Sequence, residues 1–434
     1  MNLSRLLSFC VNRKRLLLYV NVVFTVTVIL VMYLYRGNYF CFEGSFTVVS
    51  IYGLFALFLG LFHYVGAYRY RSVLDNGYRP FVYVVVSVFN DVKIIGKTID
   101  SILGSDYPRD KLQLIVADDG STDGTSSVLQ AKSVEYAGGF RVHLNAKNMG
   151  KRHTVADVVK RFCTVKDAVL VLVDSDACVA ADAIRMLVQP FSDSGVFSVC
   201  GNAVVSNSVS LISRFQRCWY AGAFRVRKAS ESVVGMVMCC SGVFSAYRLE
   251  KVLGVLGDWV DETFLGKRVV AGDDSRLTNC AALRLGGRSV FQESACVYTV
   301  VPCSLRGFVR QQTRWGRNSF RRFVFAAGFF WRKSWVERFV FYCTMFVTLV
   351  TPFALVGSLV GLFLWGSWMG VVVYFSCLVL FSVLYAMTDK LLVSYFSWRD
   401  FLFRCGFFVV MLLVSFVYLY AYLTPWKGTV WGTR

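Results

Sequence analysis

Residues 168–176 read Ala-Val-Leu-Val-Leu-Val-Asp-Ser-Asp. Six apolar residues between polar neighbours are short for a helix and suit a strand buried on both faces. The Asp-Ser-Asp that ends the run sets Asp174 and Asp176 one residue apart. Two such carboxylates project the same way from an extended chain. This spacing suits a hard divalent cation, because Mg2+ or Mn2+ takes oxygens from one or two carboxylates and from substrate phosphates. An ordinary Asp-rich turn accounts for the pair equally well when it is taken alone.

Outward from this strand the same pattern recurs. Phe81–Val88, Leu112–Ala117, Arg141–Leu144 and Val196–Gly201 are further apolar runs, and polar segments of helical length lie between several of them. That rhythm predicts an α/β domain over residues 80–303, built on a mostly parallel sheet covered by helices. Asp118-Asp119-Gly120-Ser121 follows one run, and Gly272-Asp273-Asp274 follows Val269–Ala271, read here as another strand end. Ligands of open α/β sheets bind outside the carboxyl ends of the strands, so the three acidic clusters are expected to converge. Two cationic stretches accompany them, Asn148-Met149-Gly150-Lys151-Arg152 and Arg310-Gln311-Gln312-Thr313-Arg314-Trp315. Lys and Arg suit a diphosphate, and Trp315 offers an aromatic face to a sugar ring. Arg310–Arg322 suits a basic helix lying on anionic lipid as well.

The flanks are of another kind. Hydrophobic residues make up 56% of the 434-residue chain and charged residues 17%, which excludes a disordered protein and an ordinary soluble enzyme. Leu16–Tyr35 and Phe46–Tyr68 are each long enough to cross a bilayer, and Phe339–Leu364, Trp368–Met387 and Gly406–Thr424 are candidate spans after the α/β region. Leu391–Phe403, broken by Arg399 and Asp400, reads as interfacial, as do Ser210–Ala229, Leu305–Phe323 and Phe329–Trp335. Lys and Arg outnumber Asp and Glu by 47 to 27, and Arg5, Arg13, Lys14 and Arg15 before the first span match Arg69, Arg71 and Arg79 after the second. The positive-inside rule then puts the N-terminus and the α/β domain in the cytoplasm of a multi-pass membrane protein. A signal peptide fits the first run less well, since the run is long and no small-residue cleavage site follows. The 14 Cys show no zinc spacing, and three His make a His-based metal site or triad improbable on numbers.

The ordered set Asp-Asp-Gly-Ser, Asn-x-Gly-Lys-Arg, Asp-Ser-Asp, Cys240-Ser241-Gly242, Thr-Phe-Leu-Gly, Gly-Asp-Asp-x-x-Leu-Thr-Asn, Gln-Gln-x-Arg-Trp and terminal Trp-Gly-Thr-Arg resembles the class I hyaluronan synthases. The resemblance covers nearly the whole chain, in the compact bacterial or viral form. It implies a GT-A (Rossmann-like) domain at 80–303 between membrane regions at 1–79 and 337–425, interfacial helices at 304–336 and a gating segment at 426–434. It implies UDP-GlcNAc and UDP-GlcA as donors, nascent hyaluronan and membrane lipid as partners, Mg2+ or Mn2+ as cofactor, and neither nucleic acid nor an obligatory protein partner. Carried over by motif, Asp118, Asp119, Lys151 and Arg314 would hold UDP, and Asp174 and Asp176 the metal. Asp274, with Asp273 beside it, would be the general base. Cys240, Ser241, Gln311, Gln312 and Trp315 would face the acceptor, and Trp431 and Arg434 would gate the site. The chain departs from the family at Val243 (usually Pro), at Arg276 (an Arg displaced by Ser275) and at Arg322 (usually acidic). A gate on the cytoplasmic side needs an even number of crossings after Glu337, whereas three clear spans are read. Two other readings stay open: a chitin-type or Nod-factor-type synthase using UDP-GlcNAc alone, and a transporter with a nucleotide-binding domain. Spans with few ionisable residues speak against the transporter.

Overall fold

The computed structural model describes residues 43–269, 271–365, 379, 382–383, 386–387, 389–390 and 397–427. The first expected span, most of Trp368–Met387, and Trp431 and Arg434 lie outside the described residues. The chain forms two compact units. One comprises Arg71–Tyr220, Val234–Ala326 and Thr424–Arg434; the other comprises Met1–Tyr70, Ala221–Val233 and Ala327–Leu423.

The first unit is built on strands β1 (Val82–Val88), β2 (Leu112–Asp118), β3 (Arg141–Leu144), β4 (Val169–Asp174), β5 (Ala177–Val179), β6 (Val196–Val205) and β7 (Phe244–Arg248). A two-stranded hairpin of β8 (Thr263–Phe264) and β9 (Lys267–Arg268) stands apart, and β10 (Arg288–Thr299) completes the main sheet. The order in that sheet is β3-β2-β1-β4-β7-β6-β10-β5. Every residue of β1 is buried, so its valine-rich sequence is covered on both faces. Helix α1 (Ile95–Leu103) turns Ile95, Ile99, Ile102 and Leu103 inward, the spacing of one helical face. Helices α2 (Thr125–Glu135) and α3 (Lys151–Phe162) follow β2 and β3.

The sheet is mixed but mostly parallel, with β7 and β5 running against the other six strands. β1, β2, β3 and β4 run parallel, as do β6 and β10, while β7 is antiparallel to both β4 and β6. The reversal has a local cause. Phe244 opens β7 opposite Val173 and Arg248 closes it opposite Val169, so the chain enters β7 at the edge where β4 ends. The Ser241-Gly242 turn is thereby delivered to the carboxyl edge of the sheet. Helix α4 (Leu211–Gly222) follows β6.

One correction concerns Gly272-Asp273-Asp274. These residues do not close a strand; they open helix α5 (Asp273–Thr278), with Gly272 at φ +89 as its N-cap. Left-handed backbone favours glycine there, and acidic side chains are stabilised in a helix's first turn. Helix α6 (Leu305–Phe330) is one continuous 26-residue element carrying the whole Gln-Gln-Thr-Arg-Trp stretch.

In the other unit, helix Glu43–Arg69 covers the expected span at Phe46–Tyr68. It packs against the short segment Ala229–Val233, where a side chain added at Gly66 would lie 2.5 Å from Ser230 Cβ. Tyr52 and Thr351 share a hydrogen bond of 2.8 Å, and Phe55 meets Phe346 edge to face. Among the described residues Trp335–Val356 is long and apolar enough to cross a membrane, and the bent pair Trp398–Cys405 and Val409–Tyr422 passes as a second if counted together.

One glycine tests the sheet edge. Gly120 has φ +76, and a Cβ there would lie 2.7 Å from the Lys147 carbonyl carbon, whereas Gly77 (φ +80) has open space. Gly77→Ala should cost about 1 kcal/mol from backbone strain alone, and Gly120→Ala roughly 2–4 kcal/mol. Thermal unfolding of the two variants checks this; equal melting temperatures would contradict it.

Candidate active site

The register of the parallel strands brings the acidic clusters together. Asp118 lies beside Val88, and Asp174 beside Ser87, so both flank the carboxyl end of β1. Asp118 is buried and accepts from the Ser121 N–H (3.0 Å) and the Ser126 hydroxyl (2.5 Å). Asp119 is wholly buried. Its Oδ1 accepts from the Met149 N–H (2.8 Å), the Asn145 amide (3.0 Å) and the Thr154 hydroxyl (2.7 Å), and its Oδ2 from the Gly150 N–H (2.8 Å). In this arrangement the carboxylate that the sequence assigns to a nucleotide fastens the loop leading into α3.

That loop sets Lys151 at the start of α3. The Lys151 ammonium pairs with Asp174 and lies 3.5 Å from Asp273. Asp274 takes the Gly242 N–H at 3.3 Å. A Cβ added at Gly242 would meet Lys151 Nζ at 3.3 Å, Asp174 Oδ1 at 3.6 Å and Asp274 Cβ at 3.7 Å. Asp174, Lys151, Gly242, Asp273 and Asp274 therefore surround one point. Asp176 follows at the β4–β5 turn, partly exposed.

The other expected residues divide. The Cys240 side chain is wholly buried and faces the Ser289 (3.3 Å) and Ser198 (3.6 Å) hydroxyls, so its thiol packs beneath the turn that presents Ser241 and Gly242. Burial pushes this thiol well up from its ordinary range, which is the character of an inert cysteine. Gln311 and Gln312 are buried on α6, and Gln311 Oε1 has no hydrogen-bond partner among the described residues. Trp315 is joined by a residue that sequence reasoning missed: the Tyr220 ring lies 6.2 Å from it. Burial raises the Tyr220 phenol, with the Asp174 and Asp274 carboxylates adding to the rise and Arg314 opposing it. An aromatic at the end of an amphipathic helix carries no signal of its own; only folding α4 back to α6 reveals it. Val243 leaves the turn intact, because its carbonyl accepts from the Asp174 N–H (3.3 Å), and proline would offer the same carbonyl.

Among the described residues no three His, Cys, Asp or Glu gather as a cation cage. Asp174 and Asp176 supply two carboxylates at a partly exposed edge already attractive to one cation, the Lys151 ammonium. This donor set fits a divalent ion that completes its shell with phosphate oxygens, and does not fit one held by protein alone.

Charges in the cluster reinforce one another. Burial works against the Lys151 cation, but Asp174 and Asp273 outweigh it and hold its pKa above the ordinary lysine range. Burial likewise raises the Asp273 carboxyl, while Lys151 and Arg152 outweigh it and bring its pKa below the usual carboxylate value. The contribution of Asp273 is complete above the ordinary carboxylate range and lost only as pH falls through its depressed value. That of Lys151 is complete below the ordinary lysine range and lost only as pH rises past its elevated value. A nucleoside diphosphate ester should therefore bind with constant affinity from about pH 6 to about pH 9. Lys151→Met should weaken it roughly tenfold or more, by loss of a charge-assisted contact. Calorimetric titration across that range checks both; a limb that disappears with Lys151 would show the pair titrating.

Comparison with known proteins bears on this geometry. Residues 79–318 match the family model described as glycosyltransferase like family 2. The hyaluronan synthase of Streptococcus pyogenes serotype M6 is 30% identical over 318 residues, 72% of each chain. An N-acetylglucosaminyltransferase of Mesorhizobium japonicum is 34% identical over 246 residues, 56% of each chain. A mannosyltransferase of Pyrobaculum calidifontis, solved with GDP-Man and Mn2+, superimposes with a TM-score of 0.60 at 19% identity, covering 86% of this chain and 99% of its own. That likeness supports a GT-A fold for the sheet described above. With the family model spanning more than half of its length, the chain belongs to the family-two glycosyltransferases of hyaluronan synthase-like type, and it is a glycosyltransferase.

Proposed function

We propose that this enzyme polymerises hyaluronan, adding GlcNAc and GlcA alternately from UDP-GlcNAc and UDP-GlcA and passing the product across the plasma membrane through its own multi-pass helices. The observation that carries the chemistry is the convergence of Lys151, Asp174, Asp273, Asp274 and Gly242 on one point at the sheet's carboxyl edge. The long match to a hyaluronan synthase supports the choice of polymer.

Lys151 neutralises the donor diphosphate, and Arg314 stands by to do the same from α6. Asp118 and Asp119 shape the loop at the uridine end. Asp174 and Asp176 would hold Mg2+ or Mn2+ with the diphosphate, an ion that supplies Lewis-acid stabilisation of the leaving group. Asp274 takes the proton from the acceptor hydroxyl as it attacks the anomeric carbon, and Asp273 keeps Lys151 in place. One in-line displacement inverts configuration and needs no covalent nucleophile, in keeping with the buried thiol of Cys240. Gln311, Gln312, Trp315 and Ser241 line the acceptor side. Trp431 and Arg434 close over the bound donor from the cytoplasm.

The match to an N-acetylglucosaminyltransferase favours a second reading, in which UDP-GlcNAc is the sole donor. Purified enzyme given both sugars and Mg2+ or Mn2+ should make polymer that hyaluronidase degrades. Polymer from UDP-GlcNAc alone would support the second reading instead. Asp274→Asn should lower kcat by about 10²- to 10⁴-fold while UDP still binds; near-normal synthesis would remove Asp274 from the role of base. Equilibrium dialysis with Mn2+ should show firm retention only when UDP is present, and equal retention without nucleotide would contradict a shared ion.

A further inference from the structure

One turn of α6 past Trp315 carries Arg317, Asn318 and Arg321 on a common face, at the three- and four-residue spacings that bring helical side chains together. Arg317 donates to the Thr424 hydroxyl at 3.1 and 3.3 Å. Arg321 donates to the Pro425 carbonyl at 3.2 Å, to the Ala271 carbonyl at 3.5 Å and to the Asn318 side chain. Asn318 in turn lies against Gly272, where a Cβ would sit 2.9 Å from its Cγ. Arg152, next to Lys151, reaches the same Ala271 carbonyl at 3.4 Å and is anchored by Glu262 at 2.8 Å. Two arginines from distant helices thus hold the residue just before Gly272-Asp273-Asp274.

Arg321 is buried and has no carboxylate in salt-bridge contact among the described residues. Burial, with Arg152 and Arg317 nearby, pulls its pKa down to about 10 against the pull of Glu262. A buried cation facing other cations is costly unless its hydrogen bonds are well placed. Those bonds go to the turn that sets Asp274 and to the C-terminal stem at Thr424–Pro425.

We propose that Arg321 is a positioning residue that ties the Gly272–Asp274 turn to the stem at Thr424–Pro425, so that the placement of Asp274 depends on how the stem is docked. The proposal rests on Asp274 acting as the base. It adds a mechanical link between the Thr424–Pro425 stem and the reacting groups, carried by one guanidinium.

The test is a double-mutant cycle read by UDP release from donor sugar, which reports transfer whatever polymer is made. Failure to make hyaluronan would therefore leave the cycle readable. Arg321→Met should lower kcat by roughly 10- to 100-fold, the scale of a small misplacement of a reacting group. KM and UDP affinity should stay within about threefold, because Arg321 touches none of the groups that meet the nucleotide. Arg321→Lys, which keeps the charge but cannot span both carbonyls, should fall between. Thr424→Val should lower kcat in the parent and have no further effect in the Arg321→Met background. A parent-like kcat for Arg321→Met, or effects of the two changes that simply multiply, would overturn the link. If Arg321→Met fails to bind UDP, the Arg321→Lys and Thr424→Val pair runs the same cycle with the same two outcomes.

Discussion

The site depends on one shielded cation. The Lys151 ammonium joins Asp174, at the end of β4, to Asp273, at the head of α5. These residues are far apart in sequence, and each acidic group alone would crowd the others at the sheet edge. Two carboxylates sharing a site repel, and the shared proton or cation that relieves them becomes part of the site's chemistry. Here the relief is a fixed lysine. A diphosphate arriving at this edge finds a cation already desolvated and oriented, so less reorganisation is left for the moment of reaction.

Lys151 is held in place by the buried carboxyl group of Asp119, whose bonds fasten the loop just before it. Asp119 gathers the Met149 and Gly150 N–H groups, the Asn145 amide and the Thr154 hydroxyl. Leaving even one buried N–H without a partner costs about 1–3 kcal/mol, so the loop has little freedom to move Lys151 away. The pair Asp118-Asp119 thus divides its work. Asp118 closes the turn after β2 through Ser121 and Ser126, and Asp119 fixes the next loop along the same edge.

Much of this was legible in the sequence, and what was not has a common cause. The strands Val82–Val88, Leu112–Asp118 and Val169–Asp174 were readable because burial on both faces leaves an unbroken apolar run. The convergence of Asp118 and Asp174 followed from the rule about strand ends. By contrast β7 and β10 were invisible: Phe-Ser-Ala-Tyr-Arg has no unbroken apolar run, and Arg288–Thr299 carries Gln292, Glu293 and Ser294 in its middle. Gly272 misled for a related reason. The apolar run Val269–Ala271 before Gly-Asp-Asp looks like a strand end, whereas the left-handed glycine starts a helix whose first turn takes both carboxylates. Tyr220 escaped because its neighbours come from other segments, and no local pattern marks a tyrosine that meets Trp315 only after folding.

The basic excess changes meaning in the same way. From the sequence, a net charge of +20 reads as membrane flank and ligand-binding groups. Yet Arg152, Arg317 and Arg321 are buried within the catalytic unit, and they hold backbone carbonyls or a hydroxyl as well as Glu262. Arg276, displaced by Ser275 from the family's usual place, stacks 3.5 Å from the Phe325 ring centre and stays within 4.0 Å of Glu262. A planar guanidinium holds several acceptors in a fixed fork while its flat face stacks on an aromatic ring, a geometry that a compact ammonium does not impose. The arginines therefore brace irregular backbone around the Gly-Asp-Asp turn, where no strand or long helix could supply regular hydrogen bonds. Part of the positive charge that a composition assigns to the surface is, in this chain, the internal frame of the acidic site.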